Sequence, residues 1–370
     1  MPNTAYVPPP GDAWQRIDAA DAGFDAGRLA EAVRFAEASE IGWSRDLNEV
    51  LAAGEFEPPP WNELLGPVEP RGPTNGLLLR HGRIVAEWGE TTRADMTFSV
   101  AKSYLAILAG IAVGDGLIRD VADAAGAYAL DDGFESAQNR SITWEHLLHQ
   151  TSEWEGELWS KPDLIDRNRQ LGPDADNSRK GTHRDLAKPG DYWEYNDVRV
   201  NRLSLSLMQV FRRALPDVLA ERVMRPVGAS DDWAWHGYRN STIEIDGREM
   251  TSVPGGSHWG GGLCISARDQ ARLGLMVLRG GAWDEQRILP QGWTERMLAP
   301  CPINPQYGYL WWLNTDRQHY PSAPASSAAA VGAGGNIIWI DPEHDIVLVA
   351  RWLDNAKTDA AIGVFLNALL

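Results

Sequence analysis

A chain of 370 residues with 44% hydrophobic side chains can bury one large core or two ordinary ones. Its formal charge of −17 sets it against nucleic acid and anionic membrane surfaces, which would repel it. Cys264 and Cys301, the only cysteines, supply neither a disulfide framework nor a cysteine-based zinc site.

No basic segment followed by an apolar core opens the chain, and its longest apolar stretch falls short of a membrane span, so a cytoplasmic location is expected. Leu29, Val33 and Ala36 recur at helical spacing and predict an amphipathic helix over 25–40. The proline-rich run from Glu55 to Pro73 is expected to form a surface loop. Residues 1–74 therefore read as an N-terminal helix with an extension, and 75–370 as the main domain. Asn75 to Trp88 shows two apolar runs hinged at Arg80-His81-Gly82-Arg83, the pattern of a β-hairpin. Tyr104 to Val113 is an apolar run of helical length, which puts Ser99 at or near a helix start.

Helical patterns and long loops fill roughly 103–250, including Thr143-Trp-Glu-His-Leu-Leu-His149. Val198 to Phe211 is read as a buried helix, although Leu203, Leu205 and Leu207 also alternate as in a strand. Within the loop at 153–187, Glu153 to Trp159 fits either a lid or an ordinary surface loop. Gly260 to Ile265 leads as a strand or tight loop into Ser266-Ala-Arg-Asp269, whose capping spacing opens a helix to Arg279. Gly335 to Pro342 and Ile346 to Trp352 form a second hairpin around Glu343-His344-Asp345, and 356–370 closes the chain as a helix. Strands at both ends and helices between predict one antiparallel sheet flanked by helices, with an all-helical subdomain inserted at about 103–250.

Ser99-Val100-Ala101-Lys102 sets a possible nucleophile and a possible proton acceptor one helical turn apart. The chain has five lysines, which makes an accidental match less frequent than in a lysine-rich protein. A lysine among apolar side chains loses its proton more readily, and the neutral amine can activate the serine. Free backbone N–H groups at a helix start would favour an oxyanion there. The same tetrapeptide also fits a capping serine followed by a snorkelling lysine. Tyr195, on the turn-rich loop Lys188 to Asp197, is a candidate general base if a nearby ammonium stabilises its phenolate; packing against the helical region is the alternative.

His146-Leu-Leu-His149 has ligand spacing on a helix, but lacks the Glu that would follow the first histidine in His-Glu-x-x-His, and no metal site is assigned. His258 and Trp259, beside Gly260-Gly-Gly262, and Trp154 are candidates to line a cleft. Seventeen tryptophans favour an apolar acyl or aryl group in the substrate, while most of them belong to the core. The Gly-x-Ser-x-Gly pattern of α/β-hydrolases does not occur.

Ser99-x-x-Lys102, Tyr195-Asn-Asp197 about a hundred residues later, and Gly332-Ala-Gly-Gly335 before the last hairpin together resemble the serine β-lactamase and penicillin-binding-protein-like superfamily. The likeness is nearest to the class C β-lactamase-like branch of carboxylesterases and 6-aminohexanoate-dimer hydrolases, and it runs from about residue 75 to the end. It implies the β-lactamase/transpeptidase-like α/β fold and a serine hydrolase of small esters or amides that needs no cofactor. Ser99 would be the acylated nucleophile, Lys102 and Tyr195 the proton-transfer groups, and the N–H groups of Ser99 and Ala333 the oxyanion hole. Two positions depart from the pattern. Asp197 replaces the usual asparagine, where it could hold Lys102 and repel an anionic substrate. Ala330-Val331-Gly332 lacks the cation of Lys-Thr-Gly, which disfavours penicillin-like substrates. A non-catalytic scaffold of the same fold is the competing expectation.

Overall fold

The computed structural model describes residues 6–11, 13–53, 56–172 and 174–370. Its centre is a six-stranded antiparallel sheet built from both ends of the chain. The strands are β1 (Asn75–Arg80), β2 (Arg83–Trp88), β3 (Trp312–Leu313), β4 (Ala328–Gly332), β5 (Asn336–Asp341) and β6 (Ile346–Arg351). They lie in the order β3-β4-β5-β6-β1-β2, so β6 pairs with β1 across most of the sequence. The first hairpin turns on His81 and Gly82, both with positive φ (53° and 78°), the arrangement that matches the twist of paired strands.

The period-two alternation of these strands divides the core. Leu77, Leu79, Ile338, Ile340, Val347 and Val349 belong to one cluster, and Leu78, Ile337, Trp339, Leu348 and Ala350 to the other. The second face is covered by α1 (Ala26–Glu37) and the C-terminal helix Thr358–Leu366, where Phe365 stacks on Trp88 with centroids 5.7 Å apart. Three further helices complete the numbering on the first side: α2 (Val100–Gly114), α3 (Asp197–Phe211) and α4 (Ala267–Leu278), of which α4 lies along β1, β5 and β6. The C-terminal helix is α5.

α2 is buried from Val100 to Ala112, as a helix apolar on all sides should be. Gly110 admits Trp293 against it, and the indole N–H donates to Ala106 O at 3.1 Å. α3 settles the ambiguity at 198–211 in favour of a helix. Its polar side chains are buried but partnered: Arg202 and Gln209 both hold Asp131. Ser266 accepts from Asp269 N at 3.0 Å and opens α4 as its spacing predicts.

Two expectations need correction. The proline-rich segment, described from Phe56 onward, is a strap rather than a surface loop: Glu57, Leu65 and Arg71 are buried. Leu65 and Gly66 donate to Trp259 O at 2.8 and 3.0 Å, and Gly261 returns a bond to Pro67 O at 2.8 Å. Prolines lack donors, but the residues between them find partners in the 255–265 segment. The region 103–250 is not wholly helical, because it carries the ribbons Glu157–Leu158 with Lys161–Pro162 and Thr242–Ile245 with Arg248–Thr251. Glu153 to Trp159, open between a lid and a surface loop, is anchored at Glu153, which is fully buried between Arg184 and Arg199, and exposed at Glu155, Gly156 and Glu157. Among the described residues no helix is long and apolar enough to cross a membrane.

Candidate active site

Ser99 sits immediately before α2. Phe98 ahead of it takes a left-handed conformation, φ 51°, a strained state that persists because its ring is held among Trp43, Phe56 and Trp352. The turn brings Ser99 N–H to the end of β4. A Cβ on Gly332 would lie 2.1 Å from Thr97 O and 3.1 Å from both Ser99 N and Val100 N, so only glycine lets the strand approach this closely. β4 then breaks at Ala333, whose carbonyl accepts from Asn336 Nδ2 at 2.7 Å. Among the described residues neither Ser99 N–H nor Ala333 N–H donates a hydrogen bond. A helix N-terminus and a strand end thus each leave a backbone donor free of hydrogen bonds among the described residues.

Lys102 Nζ donates to Ser99 Oγ at 2.8 Å, to Gly255 O at 3.2 Å, and to Asp197 Oδ1. The lysine is buried, yet its surroundings are not the apolar ones expected. Burial alone would lower its pKa; Asp197 and Tyr195 more than offset this and raise it above the ordinary lysine value. Lys102 is therefore an ammonium in the resting state. Its Nζ also lies 4.8 Å from the centroid of the Tyr195 ring, and Arg169 approaches that ring at 5.1 Å. Tyr195 is packed against Trp312, with centroids 5.9 Å apart and 23° between planes.

Asp197, the first residue of α3, joins this centre to a buried chain of charges. Its Oδ2 accepts from Arg169 Nη1 at 2.7 Å, and its own N–H donates to Asp166 Oδ2 at 2.8 Å. Burial opposes its ionisation, but His258, Lys102 and Arg169 hold its pKa well below the carboxylate range. Asp166 also faces Lys180, whose Nζ donates to Glu57 Oε1 at 2.6 Å. Among the described residues Glu57 Oε2 has no hydrogen-bond partner, and burial followed by the neighbouring Asp166 pushes this carboxyl up to about 8. His258 stacks on Phe56 at 4.7 Å, with Nδ1 3.1 Å from Asp197 Oδ2 but outside hydrogen-bond geometry. Burial pulls its pKa down to about 4. A cavity of about 530 Å³ borders this chain, with Phe56, Trp61 and Ile165 among its apolar walls and Glu57, Arg169 and Lys180 as its charged ones.

Ser99, Lys102, Asp197 and His258 thus converge, with Tyr195 over Lys102 and Gly332 against the Ser99 backbone. Trp259 lies one step outward, its indole N–H bonded to Trp61 O at 2.8 Å. Trp154 belongs elsewhere: its indole donates to Gly133 O at 2.7 Å inside the core. His146 spends Nδ1 on the N–H of Thr143 in a capping box, and among the described residues no group of three or more potential ligands is placed to hold a metal ion.

Sequence reasoning missed Asp166, Arg169, Lys180, Glu57, Gly255 and Gly256. A Cβ on Gly256 would sit 3.1 Å from Asp197 Oδ1, 3.3 Å from Lys102 Nζ and 3.5 Å from Ser99 Oγ, so this glycine forms a wall against the trio Ser99, Lys102 and Asp197. The only signal for the charged residues was lysine scarcity, which makes each lysine conspicuous.

A strained turn placing a serine at a buried helix start, one turn before a lysine and against a glycine-cleared strand of an antiparallel sheet, is the arrangement of a β-lactamase/transpeptidase-like fold. The β-lactamase family model matches residues 77–361, and the chain belongs to that family. It is 30% identical over 161 residues to the 6-aminohexanoate-dimer hydrolase of Paenarthrobacter ureafaciens, a match covering 37% of this chain and 38% of that relative. A penicillin-binding-protein homologue from Caulobacter crescentus superposes with a TM-score of 0.58 at 16% identity, over 92% of this chain and 98% of that one. A family VIII carboxylesterase gives 0.59 at 15% identity, over 94% and 98%. These structural likenesses bear on the fold. The match spans little more than a third of the curated relative, whose name is that of a hydrolase.

Proposed function

We propose that the protein hydrolyses small esters or amides through an acyl-enzyme on Ser99. The observation that carries this reading is the 2.8 Å contact of the buried Lys102 Nζ with Ser99 Oγ at the start of a 15-residue helix. Ser99 Oγ attacks the substrate carbonyl, and its proton leaves through Lys102 or Tyr195. The N–H groups of Ser99 and Ala333 stabilise the oxyanion. Tyr195 then protonates the leaving group and helps water to release the acyl chain. No step calls on a metal or organic cofactor.

Esters are the first choice, because an alkoxide leaves more readily than an amine anion, with amides second. Ala330-Val331-Gly332 offers no cation for a penicillin-type carboxylate, and Asp197 adds a negative charge close to the nucleophile. The names of the relatives, a dimer hydrolase and a carboxylesterase, agree with both substrate classes.

The test is hydrolysis of p-nitrophenyl acetate and butyrate by wild type and Ser99→Ala, together with fluorophosphonate labelling. Turnover and label that both vanish in the variant are expected. Equal rates in the two proteins would mean that Ser99 is structural and that the fold serves as a scaffold.

A further inference from the structure

Asp197 differs from an asparagine in one property that matters beside Lys102: it can accept a proton. Lys102 donates hydrogen bonds to Ser99 Oγ, Gly255 O and Asp197 Oδ1, so all three ammonium protons are engaged and no lone pair is left for the Ser99 proton. A base must be regenerated at the moment of attack. Asp197 Oδ1 is the only ionised acceptor among the three partners, and it is held in place from behind. Arg169 bonds Oδ2 at 2.7 Å, and Asp166 Oδ2 fixes the backbone N–H at 2.8 Å. Lys102 and Asp197 are 1% and 3% exposed, so water does not compete for the proton between them.

Resting on the serine-hydrolase reading, we propose that Asp197 is a positioning residue that takes up a Lys102 proton as Ser99 attacks, so that the Lys102–Asp197 pair acts as one proton acceptor. In this step the Ser99 Oγ–carbon bond forms and the carbonyl π pair moves to oxygen. The Ser99 O–H bond breaks, its proton passes to Lys102 Nζ, and one proton of Lys102 passes to Asp197 Oδ1. Lysine stays cationic, the aspartate becomes neutral, and the negative charge moves to the oxyanion. On collapse Tyr195 gives its proton to the leaving oxygen or nitrogen and is re-protonated by Lys102, which recovers a proton from Asp197, so the aspartate is ionised again.

Several charged groups face this pair. Arg169 and Asp166 stay ionised, and His258 is neutral above about pH 4. Tyr195 lies over Lys102, and Glu57, 3.8 Å from His258 Nδ1, titrates near pH 8. Tyr195 and Glu57 are present in both proteins compared below, so their direct contributions cancel in a rate ratio.

The experiment measures acylation by p-nitrophenyl acetate in the full chain, wild type against Asp197→Asn, from pH 5 to 9. Without the carboxylate, burial pulls the Lys102 pKa down and the free amine accumulates as pH rises. The ratio of wild-type to variant rate is expected to be roughly a hundredfold at pH 6 and to narrow steadily toward pH 9. A ratio that is the same at every pH, whether one or a thousand, overturns the proposal. If Asp197→Asn does not fold, a proton inventory in mixed light and heavy water decides on the wild type alone: a curved inventory supports two protons in flight, and a linear one overturns the relay. Failure of the underlying reading is told apart by the absence of fluorophosphonate label at Ser99 in the wild type.

Discussion

At the scale of single residues the site is defined by what leaves room as much as by what reacts. Gly256 stands against Asp197, Lys102 and Ser99 at distances that an added Cβ would make tight, 3.1 to 3.5 Å, without a backbone collision. Gly256→Ala is therefore expected to fold and to push the trio apart by a few tenths of an ångström. A roughly tenfold or larger fall in kcat, with the melting temperature nearly unchanged, is the expected outcome in steady-state kinetics with calorimetry. Wild-type kcat would show that the trio tolerates displacement. The candidates Ser99, Lys102 and Tyr195, which the structure brings together, were legible because a serine, a rare lysine and a loop tyrosine stand out by residue type and spacing. The sign of the Lys102 pKa shift was not, since it depends on Asp197 lying against it from 95 positions away. Trp154 illustrates the converse: proximity in sequence to candidate motifs did not place it in the cleft.

Among the elements, periodicity decided what could be read. β1, β2, β5 and β6 show apolar runs bounded by turn residues, and they were expected where they occur. α3 was ambiguous because its polar residues, Arg199, Asn201, Arg202, Ser204 and Ser206, are all buried and leave no polar face to give the helix away. Their partners are remote: Glu153 for Arg199 and Asp131 for Arg202. The proline-rich strap was unreadable for a similar reason, since its bonds run to the 255–265 segment. α2 carries the nucleophile and is the element whose packing the site depends on most. Leu108, wholly buried at its middle, should cost about 2–5 kcal/mol when replaced by alanine, measured by urea denaturation. Leu117, just beyond the helix and 41% exposed, should cost no more than about 0.5 kcal/mol under the same replacement. Similar losses at both positions would contradict the burial of α2.

For the whole molecule, stability against pH is set by buried groups whose ionisation folding suppresses, and the signs oppose each other. His149, His258 and His319 are each pulled from 6.5 to about 4 by burial. The unfolded chain binds these protons first, so their contribution to stability is lost as pH falls from about 6.5 toward 4. Glu57 works the other way. Burial and Asp166 raise it from 4.5 to about 8, so the folded chain holds a proton that the unfolded chain has already released, and stability is lost as pH rises from about 4.5 to 8. Below pH 6.5 three histidines outweigh one glutamate and stability rises with pH; above 6.5 the histidines no longer contribute and Glu57 alone makes it fall. The melting temperature is thus expected to peak near pH 6.5 and to decline toward pH 8. Glu57→Gln keeps the acid limb and should remove the decline, because a neutral amide has no proton to lose. An unchanged decline between pH 6.5 and 8 in that variant would show that Glu57 is ionised in the folded protein, paired with Lys180 strongly enough to overcome its burial.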